Sequence, residues 1–67
     1  MNINEAEAGK RVRIRAHLFR AYPNLRRYEN QLGIIKFVHG EEVCVLWHRL
    51  MRQDKHHASH LELIQPH

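Results

Sequence analysis

Residues 11–18 read Arg-Val-Arg-Ile-Arg-Ala-His-Leu, a strict alternation of basic and apolar side chains. Because successive side chains of a β-strand point to opposite faces, this pattern predicts a half-buried strand over roughly Arg11 to Phe19. The apolar face would hold Val12, Ile14, Ala16 and Leu18, and the wet face Arg11, Arg13, Arg15 and His17. We therefore expect the chain to contain a β-sheet with a positively charged outer surface.

The positive charge extends beyond this strand. Residues 10–27 contain seven Lys or Arg and no Asp or Glu, although the net charge of the whole chain is only +4 with His neutral. A charge concentrated in one segment favours an anionic partner, either nucleic acid or an acidic protein surface. The alternative is a face that only interacts with solvent, but such faces usually mix both signs.

The size and composition of the chain restrict its function. A length of 67 residues predicts one small domain with little room for both a cofactor cavity and catalytic groups. The sequence contains neither a glycine-rich phosphate loop nor a nucleophile–histidine signature, so we expect no enzymatic activity, no cofactor and no small-molecule substrate. No stretch approaches the roughly 20 apolar residues that span a membrane. The lone Cys44, which excludes an intrachain disulfide, favours a cytoplasmic location.

The central part of the sequence predicts a β-hairpin. Residues 31–38 are rich in β-forming side chains, and Gly33 among them indicates a bulge or a close backbone approach. A tight turn is expected at 39–42, followed by a strand over 43–48 with Val43, Val45 and Trp47 on one face.

The remaining segments complete the predicted architecture. Residues 1–8 are expected to form a flexible arm, residues 20–30 a loop, and residues 50–57 a further loop between strands. A short strand or a single 3₁₀ turn, then a last strand, is expected over 58–64. Five short strands in so short a chain favour closure, because long apolar edges cannot stay unpaired. We therefore predict an all-β, five-stranded SH3-like barrel over residues 9–65, with an α+β fold as the alternative.

Two family resemblances accompany this prediction. Gly33-Ile34-Ile35 followed by Val43-Cys44-Val45 resembles the KOW-type modules of ribosomal and transcription-associated barrels, which commonly contact RNA. A larger part of the chain is similar to the variable chain of ferredoxin–thioredoxin reductase, through Val12-Arg13-Ile14 with Ala16, Pro23, Gly33 and the terminal His60-Leu61-Glu62-Leu63-Ile64. This second resemblance implies a cofactor-free accessory subunit that docks on a larger redox or enzymatic partner.

The basic strand and the loop after it supply the candidate binding residues. Arg11, Arg13 and Arg15 would lie about 6.6–7 Å apart on one strand face, close to the spacing of phosphates along a nucleic-acid strand, and guanidinium groups bind phosphate bidentately. The loop could extend this surface with Arg20, Arg26 and Arg27, and could offer Tyr22 and Tyr28 as stacking planes. Our first hypothesis is a non-enzymatic module that binds nucleic acid, and the alternative is docking to an acidic protein.

Trp47 and the histidines allow more than one interpretation. Trp47 shares a face with two valines, which favours core packing, but it could also line a groove opposite the tyrosines. His56, His57 and His60 are close in sequence, yet Cys44 and Asp54, which could complete a metal site with them, lack ligand spacing. We therefore predict no metal site, and expect the histidines to add positive charge below about pH 6.5.

Overall fold

The computed structural model describes residues 1–64, which form one five-stranded antiparallel sheet in the order β4-β3-β2-β1-β5. The strands are β1 (Arg11–Ile14), β2 (Gly33–His39), β3 (Glu42–Trp47), β4 (Arg52–His57) and β5 (Leu61–Leu63). One short α-helix, α1 (Leu18–Ala21), and 3₁₀ helices at Ile3–Glu5, Pro23–Tyr28 and Ala58–His60 complete the elements. The prediction of a small, mostly β fold is thereby confirmed. Within the described residues, no helix has the length and apolar character needed to cross a membrane.

The alternation that predicts β1 holds for four residues. Val12 and Ile14 are buried, at 0% and 2% exposure, while Arg11 and Arg13 are exposed. The prediction that this strand continues to Phe19 is wrong, because the chain turns after Ile14 and the Leu18 N–H donates to the Arg15 carbonyl over 3.0 Å. Leu18 is nevertheless buried. Leu18 reaches the core from the first turn of α1. An alternating sequence pattern alone cannot show whether such a residue belongs to a helix or to a strand.

The predicted hairpin is confirmed. β2 and β3 pair from Gly33 opposite Trp47 to His39 opposite Glu42, with a register shift between Ile35 and Phe37. Gly33 makes a close approach to the facing strand: a Cβ built there would lie 2.9 Å from Trp47 Cε3 and still closer to Val45 Cγ1. The turn passes through Gly40, whose φ of +62° favours glycine.

β4 corrects the expectation of a loop over residues 50–57. It pairs with β3 along its whole length, from Arg52 opposite Trp47 to His57 opposite Glu42. The expectation was wrong because a polar sequence does not prevent strand formation where inward-facing polar groups find partners. Asp54 accepts a hydrogen bond from Tyr28, and His56 accepts one from Trp47.

The segment between β4 and β5 forms the 3₁₀ turn Ala58–His60, which confirms the helical alternative predicted before the last strand. The Ala58 N–H donates to the Glu41 carbonyl over 2.9 Å, which connects this turn to the β2–β3 turn.

The core lies on one side of the sheet, and the segment between β1 and β2 packs against it. Its buried apolar side chains are Met1, Val12, Ile14, Leu18, Tyr28, Ile35, Val43, Val45, Trp47, Ala58 and Leu61. The expected arm over 1–8 contains a 3₁₀ helix, and its first residue contributes to this core. Gln65, the last residue of the expected barrel, lies outside the described residues.

Candidate functional site

The two arginines of β1 differ in their charge environment. Arg13 lies opposite Glu62 of β5, and its Nε donates to Glu62 Oε1 over 2.6 Å. Arg11 lies opposite Ile34 of β2 and forms no ion pair within the described part of the chain. Both side chains are exposed, but only the charge of Arg11 is not matched by a neighbouring carboxylate.

Arg15 and Tyr22 meet at the 3₁₀ turn Ala58–His60. The Arg15 Nε donates to the Ser59 carbonyl over 3.2 Å, and its backbone N–H donates to the His60 carbonyl over 3.0 Å. Tyr22 is 48% exposed, and its ring centroid lies 6.0 Å from that of His60. The structure therefore brings these two predicted binding residues to one end of the sheet, beside the turn that precedes β5.

The other predicted arginines lie on the short helices between β1 and β2. Arg20 belongs to α1, while Arg26 and Arg27 occupy the last turn of the 3₁₀ helix Pro23–Tyr28. All three side chains are exposed, and none forms a salt bridge with a described residue. Because a guanidinium group is always charged in proteins, this helical segment presents three uncompensated positive charges to solvent.

Tyr28 lies in the core, so the predicted stacking role does not fit the structure. Its side chain is 6% exposed, and its hydroxyl donates to Asp54 Oδ2 over 2.6 Å. Its ring centroid lies 4.8 Å from that of Trp47 and 4.9 Å from that of His56. Tyr28 instead anchors the helical segment that carries Arg26 and Arg27 to β4.

Trp47 also lies away from the surface. It is 0% exposed, and its Nε1 donates to His56 Nε2 over 3.1 Å. This geometry fits the core-packing interpretation and leaves no part of the ring available to line a groove. Because His56 accepts at Nε2, its neutral imidazole carries its proton on Nδ1.

The side chains of Tyr28, Trp47, Asp54 and His56 form a buried cluster, which we call the aromatic–carboxylate cluster. Burial and the hydrogen bond to Asp54 raise the pKa of Tyr28 to about 12. Burial lowers the pKa of His56, against the opposing effect of the Asp54 charge. Burial alone would raise the pKa of Asp54, but the hydrogen bond from Tyr28 and the charge of Arg52 outweigh it and lower that pKa. The cluster therefore favours neutral Tyr28, neutral His56 and ionised Asp54.

The histidines that are adjacent in sequence have different environments. His56 is buried, whereas His57 is exposed and approaches Glu41 Oε2 and Ser59 Oγ with its two ring nitrogens. Among residues 1–64, no group of three or more His, Cys, Asp or Glu side chains has a geometry suited to a metal ion.

One exposed aromatic residue was missed at the sequence level. Phe37 of β2 is 50% exposed, and Lys36 beside it is exposed as well. Regular alternation from buried Ile35 would direct Phe37 to the core, but the register shift between Ile35 and Phe37 moves it to the opposite face. Gly33 suggests a bulge in this strand, but the register shift lies between Ile35 and Phe37. The sequence does not mark that position, so the exposure of Phe37 was found only from the structure.

Comparison of the chain with protein-family models, curated proteins and solved structures finds no significant match.

Proposed function

We propose that this protein is a non-enzymatic SH3-like barrel, located in the cytoplasm, that binds nucleic acid through β1 and the helical segment after it. The strand order supports the barrel, because β4 and β5 are the two edges of the sheet and only the turn Ala58–His60 separates them in sequence. The long connection between β1 and β2 and the 3₁₀ turn before the last strand are also typical of SH3-like barrels. The buried free Cys44 fits a reducing compartment.

The distribution of charge carries the functional proposal. In residues 10–27 the only arginine paired with a carboxylate is Arg13, and the described structure offers no acidic partner to the others. Uncompensated guanidinium groups concentrated on one segment attract a polyanion and release its condensed counterions on binding. In this proposal Arg11, Arg15, Arg20, Arg26 and Arg27 contact phosphates, and Tyr22 offers an exposed ring. Arg13 joins them if phosphate displaces Glu62.

Titration of labelled single- and double-stranded DNA and RNA at two salt concentrations tests this proposal. Arg20→Ala and Arg26→Ala should each make the negative slope of log K against log salt shallower by roughly 1, because each variant loses about one phosphate contact. Arg49→Ala is the matched control, since Arg49 is also exposed but lies in the β3–β4 turn. Its slope should equal that of the parent protein.

Two outcomes would overturn the proposal. The first is the absence of binding to all four nucleic acids at low salt. If the protein then binds polyglutamate, the alternative of an accessory subunit that docks on an acidic protein is favoured. The second is an equal loss of slope in all three variants, which would mean that binding follows net charge and not the surface of β1 and the helices.

A further inference from the structure

The face of the sheet opposite the core carries a half-exposed ring surrounded by basic groups. On β3, Val43, Val45 and Trp47 are buried in the core, so Cys44 and Leu46 point to the opposite face. We call this the outer face. Phe37 pairs with Cys44, and Cys44 pairs with Lys55, so these three residues form one row across β2, β3 and β4.

A second row runs beside the first. Arg11 pairs with Ile34, and Ile34 pairs with Leu46. Because neighbouring strands lie about 4.8 Å apart, Lys55 is about 10 Å from Phe37 in the first row. One ligand can therefore contact both residues. Lys36 is next to Phe37 in sequence and is also exposed.

The charge of the outer face is mainly positive. Glu62 is paired with Arg13 at 2.6 Å, and Glu41 contacts His57 at 3.1 Å. Glu42 is the diagonal neighbour of Phe37 on β3, two residues from Cys44, and is one carboxylate against the three basic side chains Arg11, Lys36 and Lys55. Arg11, Lys36 and Lys55 form no ion pair with any residue in 1–64. The surroundings of Phe37 therefore favour a negatively charged ligand.

The apolar area of this face fits a single base better than a protein. Phe37 is 50% exposed, which corresponds to roughly 100 Å². Ile34 and Leu46 are only partly exposed, and Cys44 is 6% exposed. A stable protein interface buries about 800 Å² of each partner, more than half of it apolar, which is several times the apolar area exposed here. One exposed ring amid positive charges is sufficient to stack one base of a charged strand.

We infer that Phe37 stacks a base of single-stranded nucleic acid while Arg11, Lys36 and Lys55 contact the flanking phosphates. The inference rests on the proposed function and deepens it, because it specifies the ligand class and adds Lys36, Phe37 and Lys55 to the contacts that Arg11 makes on the outer face. A single strand is required, since the bases of a duplex are already stacked on each other and do not expose a face to the ring.

Two variants of Phe37 separate stacking from simple apolar contact. Phe37→Leu keeps an apolar side chain without a ring, and Phe37→Tyr keeps the ring. Leu32→Ala is the control, because Leu32 is 51% exposed but lies outside both rows of the outer face. The measurement is fluorescence anisotropy with a labelled oligo-uridine and with a labelled duplex, together with the thermal midpoint of each variant.

Phe37→Leu should weaken oligo-uridine binding about tenfold and leave duplex binding unchanged, while Phe37→Tyr and Leu32→Ala should bind like the parent. If the parent binds oligo-uridine and Phe37→Leu binds it equally well, the inference is wrong and the proposed function stands. An equal loss on single strand and duplex would also overturn base stacking at Phe37. If the parent binds none of the nucleic acids, both the inference and the proposed function fail.

Discussion

At Gly33 and Tyr28, individual contacts explain why no other amino acid fits equally well. Gly33 leaves no space for a Cβ because Val45 and Trp47 pack against its backbone. Tyr28 needs its hydroxyl because Asp54 is partly buried and accepts a hydrogen bond from the phenol over 2.6 Å. Both residues pack in the core, and Tyr28 also fixes the position of the helical segment whose arginines we propose for binding.

Gly33→Ala should destabilise the protein by about 1–3 kcal/mol, because the added methyl group overpacks the core at Val45 and Trp47. Urea unfolding measures this change. The control is the double variant Gly33→Ala/Val45→Ala, in which the smaller side chain at 45 makes room for the new methyl group. A Gly33→Ala protein as stable as the parent, or a double variant whose loss equals the sum of the two single losses, would contradict this account.

Tyr28→Phe should cost roughly 1.5–3 kcal/mol, because it removes a hydrogen bond to an ionised carboxylate. It should also change the alkaline pH dependence. The pKa of Tyr28 is about 12 in the folded protein and about 10 in the unfolded chain, so the unfolded state releases its proton first. The contribution of Tyr28 to the free energy of unfolding is therefore fully present below pH 10 and is lost as the pH rises towards 12.

Urea unfolding at pH 8, 10 and 11 checks this dependence. The parent should lose stability over this range, and the Tyr28→Phe variant should lose less. Tyr22→Phe is the matched control, since Tyr22 is exposed. The free energy of unfolding of this variant should fall with pH as it does for the parent. Identical profiles for the parent and the Tyr28→Phe variant would show that the cluster does not hold the phenol in its neutral form.

The elements differ in how much of them the sequence could predict. β1 and the β2–β3 hairpin follow from alternation and from a glycine turn, because their core-facing residues are apolar. β4 does not, because its core-facing positions hold the polar residues Asp54 and His56, whose partners Tyr28 and Trp47 lie on other elements. The exposed arginines of the site could be predicted from charge alone. The burial of Tyr28 and the exposure of Phe37 could not, since one depends on tertiary packing and the other on a bulge.

The free energy of unfolding should depend on pH through His56, which packs against Tyr28 of the helical segment. Burial lowers the pKa of His56 below its unfolded value of about 6.5, so the unfolded chain binds the proton more readily. This contribution to stability is fully present above pH 6.5 and is lost as the pH falls through 6.5 towards the folded pKa. Protonated His56 also loses the hydrogen bond from Trp47, because Nε2 can no longer accept.

Unfolding free energies at pH 7.5 and 5.5 should therefore differ more for the parent than for His56→Gln. His48→Gln is the control, since His48 is exposed in the β3–β4 turn. The free energy of unfolding of this variant should change with pH as much as that of the parent. The prediction is contradicted if His56→Gln loses as much stability on acidification as the parent does.

At the scale of the whole molecule, positive charge and fold stability oppose each other. Residues 10–27 concentrate seven basic groups, and only Arg13 and Lys10 in this segment have carboxylate partners in the described structure. The mutual repulsion of the remaining charges destabilises the compact state. The same charges attract the proposed ligand, so salt should act on stability and on binding in opposite directions.

Raising the salt concentration from 50 to 500 mM should weaken nucleic-acid binding by orders of magnitude while leaving the free energy of unfolding unchanged or slightly higher. Binding falls because the release of the same counterions into a more concentrated solution gains less entropy. Stability is maintained because screening reduces the repulsion between exposed arginines. Urea unfolding and anisotropy titrations at matched salt concentrations measure the two effects. If stability fell in parallel with binding, the loss of binding would reflect unfolding, and the basic segment would be needed for the fold and not for a ligand.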